Sequence, residues 1–238
     1  MKKQLFTIAA IAVAAGVFTL SSCKKDDLTA PSITITGGNT MSVTLSTTAG
    51  ANVWTAPTVT ATDDQDGDIS TSVTASADPD VNTKGVYTVT YTVSDAAGNT
   101  ATQDLTVNVV NSVENFAGMY NVHDTVPTIA AFNYTMNIST DNTVSGKIHF
   151  NTGVYNTSVV GYACYQSNTT ITATIAGAVV ALPSQTVGPI GTDNSNHTFV
   201  GSGSVTNTSL PIFNITYTDT DNTNSTTASN CVQTYTHQ

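Results

Sequence analysis

Four aspartates, Asp63, Asp64, Asp66 and Asp68, fall within six residues of this 238-residue chain, around one glycine, Gly67. Carboxylates packed this densely repel unless water or a cation lies between them. Ca²⁺ takes about six to eight oxygens, and Asp64, Asp66 and Asp68, with Asp95 from a neighbouring turn, form a candidate calcium set. The spacing is not that of an EF-hand, because Gly67 comes too early and no glutamate follows. The competing reading is an Asp-Gly turn with solvated acids. Other reactive groups are sparse. His123, His149, His197 and His237 lie far apart, and only convergence of His123, Asp124 and His149 in one cleft would suggest catalysis. There is no Gly-x-Ser-x-Gly elbow, His-Glu-x-x-His or Cys-x-x-Cys. Glu114 is the single glutamate, which removes a Glu–Glu glycosidase pair. No catalytic residue is nominated, and an enzyme is not expected.

The acids also dominate the charge. Without residues 1–22 the chain has four lysines against sixteen acids, a net charge of −12, and it contains no arginine. Phosphate neutralisation needs Lys and Arg, so nucleic acid is not an expected partner. Thr, Ser, Asn and Val are abundant and good helix formers are scarce, which is the composition of strands and turns.

The amino end has its own pattern. Lys2 and Lys3 precede Leu5–Leu20, an apolar run of 16 residues. A membrane-spanning helix needs roughly 20, so the run suits a secretory signal. It ends Leu20-Ser21-Ser22-Cys23, which resembles the lipobox of bacterial lipoproteins. The resemblance implies cleavage after residue 22 and lipidation of Cys23, with the membrane reached through acyl chains. Lys25-Asp26-Asp27 resembles the export signal of surface lipoproteins of Gram-negative bacteria, so the expected location is the outer membrane, at the cell surface.

The elements that must position any site are strands. In Gly85–Asp95, Tyr87, Val89, Tyr91 and Val93 alternate with threonines, the period of a half-buried strand. Ala96–Thr100 reads as a turn, and Leu105, Val107 and Val109 point inward on the return strand. Residues 61–70 followed by Gly85–Val110 resemble the immunoglobulin-like domain first noted in a pesticidal crystal protein, close to the hyalin-repeat type. That implies an Ig-like β-sandwich over residues 31–110, an accessory or spacer module. Residues 23–30 read as a polar tether and 111–114 as a linker.

From residue 115 to 238, alternating segments separated by short polar turns, with residues 158–166 and 170–185 each read as one strand, predict an antiparallel barrel or sandwich. The stretches Leu182–Gly188 and Phe199–Val205 and the ending Cys231–Tyr235 resemble the lipocalin-like C-terminal domain of surface lipoproteins. The fold class is therefore all-β throughout. Cys164 and Cys231 form a candidate disulfide, as expected of an exported domain. These features point to a non-catalytic surface lipoprotein, with an Ig-like spacer and a β head for a glycan or an outer-membrane partner. A carrier of a small apolar ligand and an enzyme of unrecognised class are the alternatives. A cavity of roughly 300 Å³ or more would favour the carrier.

Overall fold

The computed structural model describes residues 26–127, 130–151, 171–190, 195–209, 211–223 and 225–238. The first seven strands are β1 (Ser32–Ile35), β2 (Thr40–Thr44), β3 (Val59–Asp63), β4 (Gly67–Asp68), β5 (Thr74–Ala75), β6 (Gly85–Ser94) and β7 (Thr100–Val110). They form two sheets, β1-β3-β4 and β2-β7-β6-β5. The β6–β7 hairpin pairs without a slip from Gly85↔Val109 to Ser94↔Thr100. Its period-two pattern buries Val89, Tyr91 and Val93 on β6 and Leu105, Val107 and Val109 on β7. Gly98, at φ +93°, supplies the left-handed conformation of the connecting turn. Ile35 of β1 joins Val89, Leu105 and Val107 in one core, with Ile33, Trp54 and Val59 packed against it. Two sheets thus close over one apolar layer, as the Ig-like reading expects. The segment Ser72–Asp78 contributes only the two residues of β5. Both are exposed, so no side-chain burial favours extending the pairing, and Pro79 follows.

Eight further strands are β8 (Gly118–Val126), β9 (Ala130–Thr140), β10 (Lys147–Asn151), β11 (Ile171–Ala176), β12 (Val179–Ile190), β13 (Ser195–Asn207), β14 (Ile212–Asp221) and β15 (Thr226–His237). Each is hydrogen-bonded to its sequence neighbours, and β15 pairs with β8 to close the barrel. Of the two architectures the sequence leaves open here, the closed barrel is the one formed. Closure removes the free edges that an open sheet would expose. The segment 170–185, expected as one strand, is over its described residues a hairpin that turns at Gly177, φ +59°. Pro183 carries no N–H, and the β12–β13 register shifts between Leu182 and Gln185 around it. Residues 158–166, read as a strand, lie outside the described residues.

Residues 111–114 do not run free between the two halves. Asn111 is 2% exposed, and its Nδ2 donates to Asp141 O at 3.0 Å and Val144 O at 2.9 Å. Its Oδ1 accepts from Gly146 N at 2.9 Å and Val113 N at 3.2 Å. Ser46 O accepts from Ser145 N at 2.8 Å, and Asn142 O accepts from Lys84 N at 2.7 Å. The β9–β10 turn is thereby seated on the sandwich. Asp141 anchors that turn. Burial works against its carboxylate, but hydrogen bonds from Thr143 N–H and Oγ1, His149 Nε2 and Val144 N–H outweigh this and hold it well below the usual carboxylate range.

Candidate functional site

The acids singled out by the sequence divide their work. Asp63 ends β3, and its Oδ2 accepts from the backbone N–H groups of Gln65 (2.8 Å) and Asp66 (3.0 Å), the local turn that favours Asp there. Asp66 Oδ2 accepts from Ala96 N at 2.6 Å, tying this loop to the β6–β7 turn. Asp68 Oδ1 accepts from Ser70 N (3.0 Å) and Ser70 Oγ (2.6 Å), and those bonds lower its pKa. Asp95 takes Asn99 N and Asn99 Nδ2, both at 2.8 Å. These bonds occupy Asp66, Asp68 and Asp95 in turns. The carboxylates that converge are Asp27, Asp63 and Asp64, with one oxygen of each within 4.8 Å of the others. Of the expected set, Asp64 is the member in this group. The cluster has the donor chemistry for a divalent cation such as Ca²⁺. Asp27 comes from the segment read as a tether, and nothing in that reading places it beside the end of β3.

The barrel separates inward from outward residues on the same strands. Inside, Phe213 stacks on Tyr235 with ring centroids 4.4 Å apart, and Tyr120 meets Phe213 edge-on at 5.6 Å. The space enclosed by Met136, Phe150, Ile171, Leu182, Ile215, Tyr217, Gln233 and Tyr235 is about 10 Å³, room for about one water. Towards the end of the barrel where β8 finishes, the interior turns polar. Asp124, 2% exposed, accepts from Tyr217 OH at 3.1 Å and Gln233 Nε2 at 3.0 Å. Burial pushes its carboxyl above the ordinary value despite those bonds. Asp219 is likewise raised by burial, with His197 Nδ1 donating to it at 2.8 Å. Cys231 is buried here, its thiol pushed up to about 11, while Cys23 and Cys164 lie outside the described residues.

Outside the barrel, β9, β8 and β15 carry two rows of polar side chains. Register sets Asn133, His123 and Thr234 in one row and Thr135, Asn121 and Thr236 in the next. Together they line an open groove of about 340 Å³. His123 Nδ1 lies 2.7 Å from Asn133 Oδ1, which fixes the imidazole across the strand pair. His123 and Asp124 are consecutive and so point to opposite faces, and His149 is engaged with Asp141 at 2.9 Å. The three do not share a cleft. The alternation of Asn121 and His123 with apolar residues was legible; which strands would lie beside them was not.

Residues 33–109 match the model of a family described as a bacterial surface protein, Ig-like domain. No curated protein matches. Among solved structures, the chain is similar to the lipoprotein BT2262 from Bacteroides thetaiotaomicron at 16% identity, over 87% of this chain and 100% of that one, with a TM-score of 0.34. A structural-genomics protein of unknown function from Bacteroides ovatus aligns at 12% identity, over 68% and 61% of the two chains, with a TM-score of 0.38. CBM51-2 in complex with GlcNAc and INT domains from Clostridium perfringens ZmpB aligns at 15% identity, over 87% of this chain and 44% of that one, with a TM-score of 0.25. The family match thus covers the Ig-like sandwich and stops short of the barrel.

Proposed function

We propose that this chain is a lipid-anchored surface protein of a Gram-negative outer membrane. In this reading it is non-catalytic, and it presents a binding or scaffolding barrel on an Ig-like spacer. The observation that carries the proposal is the contrast between the two faces of β8. The inward face is packed, and the outward face of β8 and its two neighbours holds the 340 Å³ groove. The groove is lined by Asn121, His123, Asn133, Thr135, Thr234 and Thr236 together with Val122 and Tyr134, and has no Lys, Asp or Glu, a mixed lining that suits a neutral glycan through hydrogen bonds and apolar contact with its C–H faces. The lipobox-like Leu20–Cys23 supports the anchor, and the seated junction at Asn111 supports a spacer that transmits orientation to the head. The cation for the acidic cluster is, in this reading, calcium, because its donors are hard carboxylate oxygens.

Glycan-array screening of the soluble chain from residue 26 tests the binding reading. The expected result is retention of a restricted set of neutral glycans, lost in His123→Ala and Asn133→Ala with unchanged melting. Retention of the same set by both variants would move the site elsewhere.

A further inference from the structure

Gln233 is 4% exposed and faces the barrel interior, where an amide without partners would carry its full desolvation cost. Its partners come from three strands. Nε2 donates to Asp124 Oδ2 on β8 at 3.0 Å and to Tyr134 OH on β9 at 3.0 Å. Oε1 accepts from Tyr235 OH on its own strand, β15. Tyr217 OH on β14 donates to the same Asp124 carboxylate at 3.1 Å. The two N–H groups of an amide form a fixed planar fork, so Asp124, by taking one, aims the other at Tyr134. β8 lies between β15 and β9. Neighbouring strands stand about 4.8 Å apart, so the bond from Gln233 to Tyr134 reaches over β8 and ties two strands about 10 Å apart. Ladder bonds join only neighbours and cannot do this.

The same three strands carry the groove on their other face. Side chains alternate along a strand, so His123 adjoins Asp124, Asn133 and Thr135 flank Tyr134, and Thr234 follows Gln233. Register sets Gln233 opposite Asp124, Thr234 opposite His123, and His123 opposite Asn133. Tying β15 to β9 on the inside fixes how sharply the sheet bends over β8. That bend fixes how far Asn133 stands from Thr234 on the outside. A satisfied buried network holds one arrangement rather than several. We propose that Gln233, Asp124 and the Tyr134 hydroxyl are positioning groups for the outer groove, an interior bridge that sets the spacing of its polar rows for the ligand. The choice of ligand rests on the glycan reading above; the coupling of inside to outside does not.

Three variants separate the bridge from ordinary core packing. Gln233→Leu removes it, and Tyr134→Phe removes its far end. Tyr235→Phe removes a bond to the same amide within β15 and leaves the bridge standing. The probe is a glycan retained on the array, titrated into the soluble chain from residue 26, with melting followed for each variant. Gln233→Leu and Tyr134→Phe should each weaken binding about tenfold, the worth of one buried hydrogen bond, and Tyr235→Phe should bind as the parent does. NMR of the ligand-free chain supplies the second readout. The Asn133 Nδ2 signals in Gln233→Leu and the Thr234 amide signal in Tyr134→Phe each lie two strands from the substitution, on the opposite face. Both should shift, and the Asn133 signals should stay in place in Tyr235→Phe. Should Gln233→Leu fail to fold, Tyr134→Phe carries both readouts. Equal losses of affinity in all three variants would reduce the network to core stability and overturn the proposal, as would parent-like binding by Tyr134→Phe. If the array retains no glycan, the glycan reading falls by itself, and distant signals that stay in place would still overturn the bridge.

Discussion

Asp124 is the carboxylate whose ionisation should be most visible in solution. Burial raises its folded-state pKa above the unfolded value, as it does for Asp219. The folded chain therefore keeps these protons to higher pH, and their contribution to stability, full below about pH 4, is lost as pH rises through the folded values. Asp141 acts in the opposite sense: its value is lowered, so its contribution is present above about pH 4 and is lost as pH falls below it. Asp124→Asn should therefore flatten the decline in melting temperature as pH rises above about 4, by a few degrees in all. A slope identical to that of the parent chain would contradict this account of the barrel interior. At this scale the sequence was legible in part. Asp63 to Asp68 stood out as a dense acidic loop, and Asp63 and Asp68 are bonded to Gln65, Asp66 and Ser70 close by in sequence. Asp66 instead accepts from Ala96 N, 30 residues on, which the loop alone does not show. Asp27 gave no signal, because its partners are long-range.

At the scale of elements, the strands of β6–β7 and β8–β9 could be read directly, because one buried face forces apolar residues to every second position. The β11–β12 hairpin could not, since Gly177 sits in an otherwise continuous apolar stretch, where periodicity does not mark the turn. The paired glycines of β13 were also opaque. A Cβ on Gly203 would stand 1.6 Å from Asn214 O, and one on Gly201 would stand 2.5 Å from Thr216 O. These glycines let β14 cross close to β13, a bend that barrel closure uses. Gly203→Ala should cost about 1–3 kcal/mol or more, because the obstacle is backbone and cannot swing aside. Ser202→Ala, on the exposed face beside it, should stay within about 0.5 kcal/mol. Urea unfolding of the two variants separates these outcomes, and similar midpoints would refute the steric account.

At the scale of the molecule, the two folded halves are joined at a seated turn. Asn111 supplies bonds to backbone groups at Asp141, Val144 and Gly146 that no apolar side chain can replace. Asn111→Ala should destabilise the chain by about 1–3 kcal/mol and separate the melting of sandwich and barrel into two calorimetric transitions. One unshifted transition would argue against coupling through this residue. The polar look of residues 111–114 suggested a loose linker, because sequence alone does not show that their amide and hydroxyl groups are used up by the β9–β10 turn. The anchor proposed at Leu20–Cys23 makes a separate prediction: Cys23→Ala should abolish palmitate labelling and release the chain from membranes or leave it uncut, and labelling that survives would overturn the proposed anchor.

In the proposed reading the barrel binds its ligand on the outer face of β8, β9 and β15. The most direct measurement is NMR titration of the soluble chain with a glycan retained on the array. Shifts should concentrate at Asn121, His123, Asn133, Thr135, Thr234 and Thr236, with Ile215 and Tyr235 unmoved. Perturbation centred on Ile215, Tyr217 and Tyr235, with the outer rows silent, would contradict it and place the ligand inside the barrel.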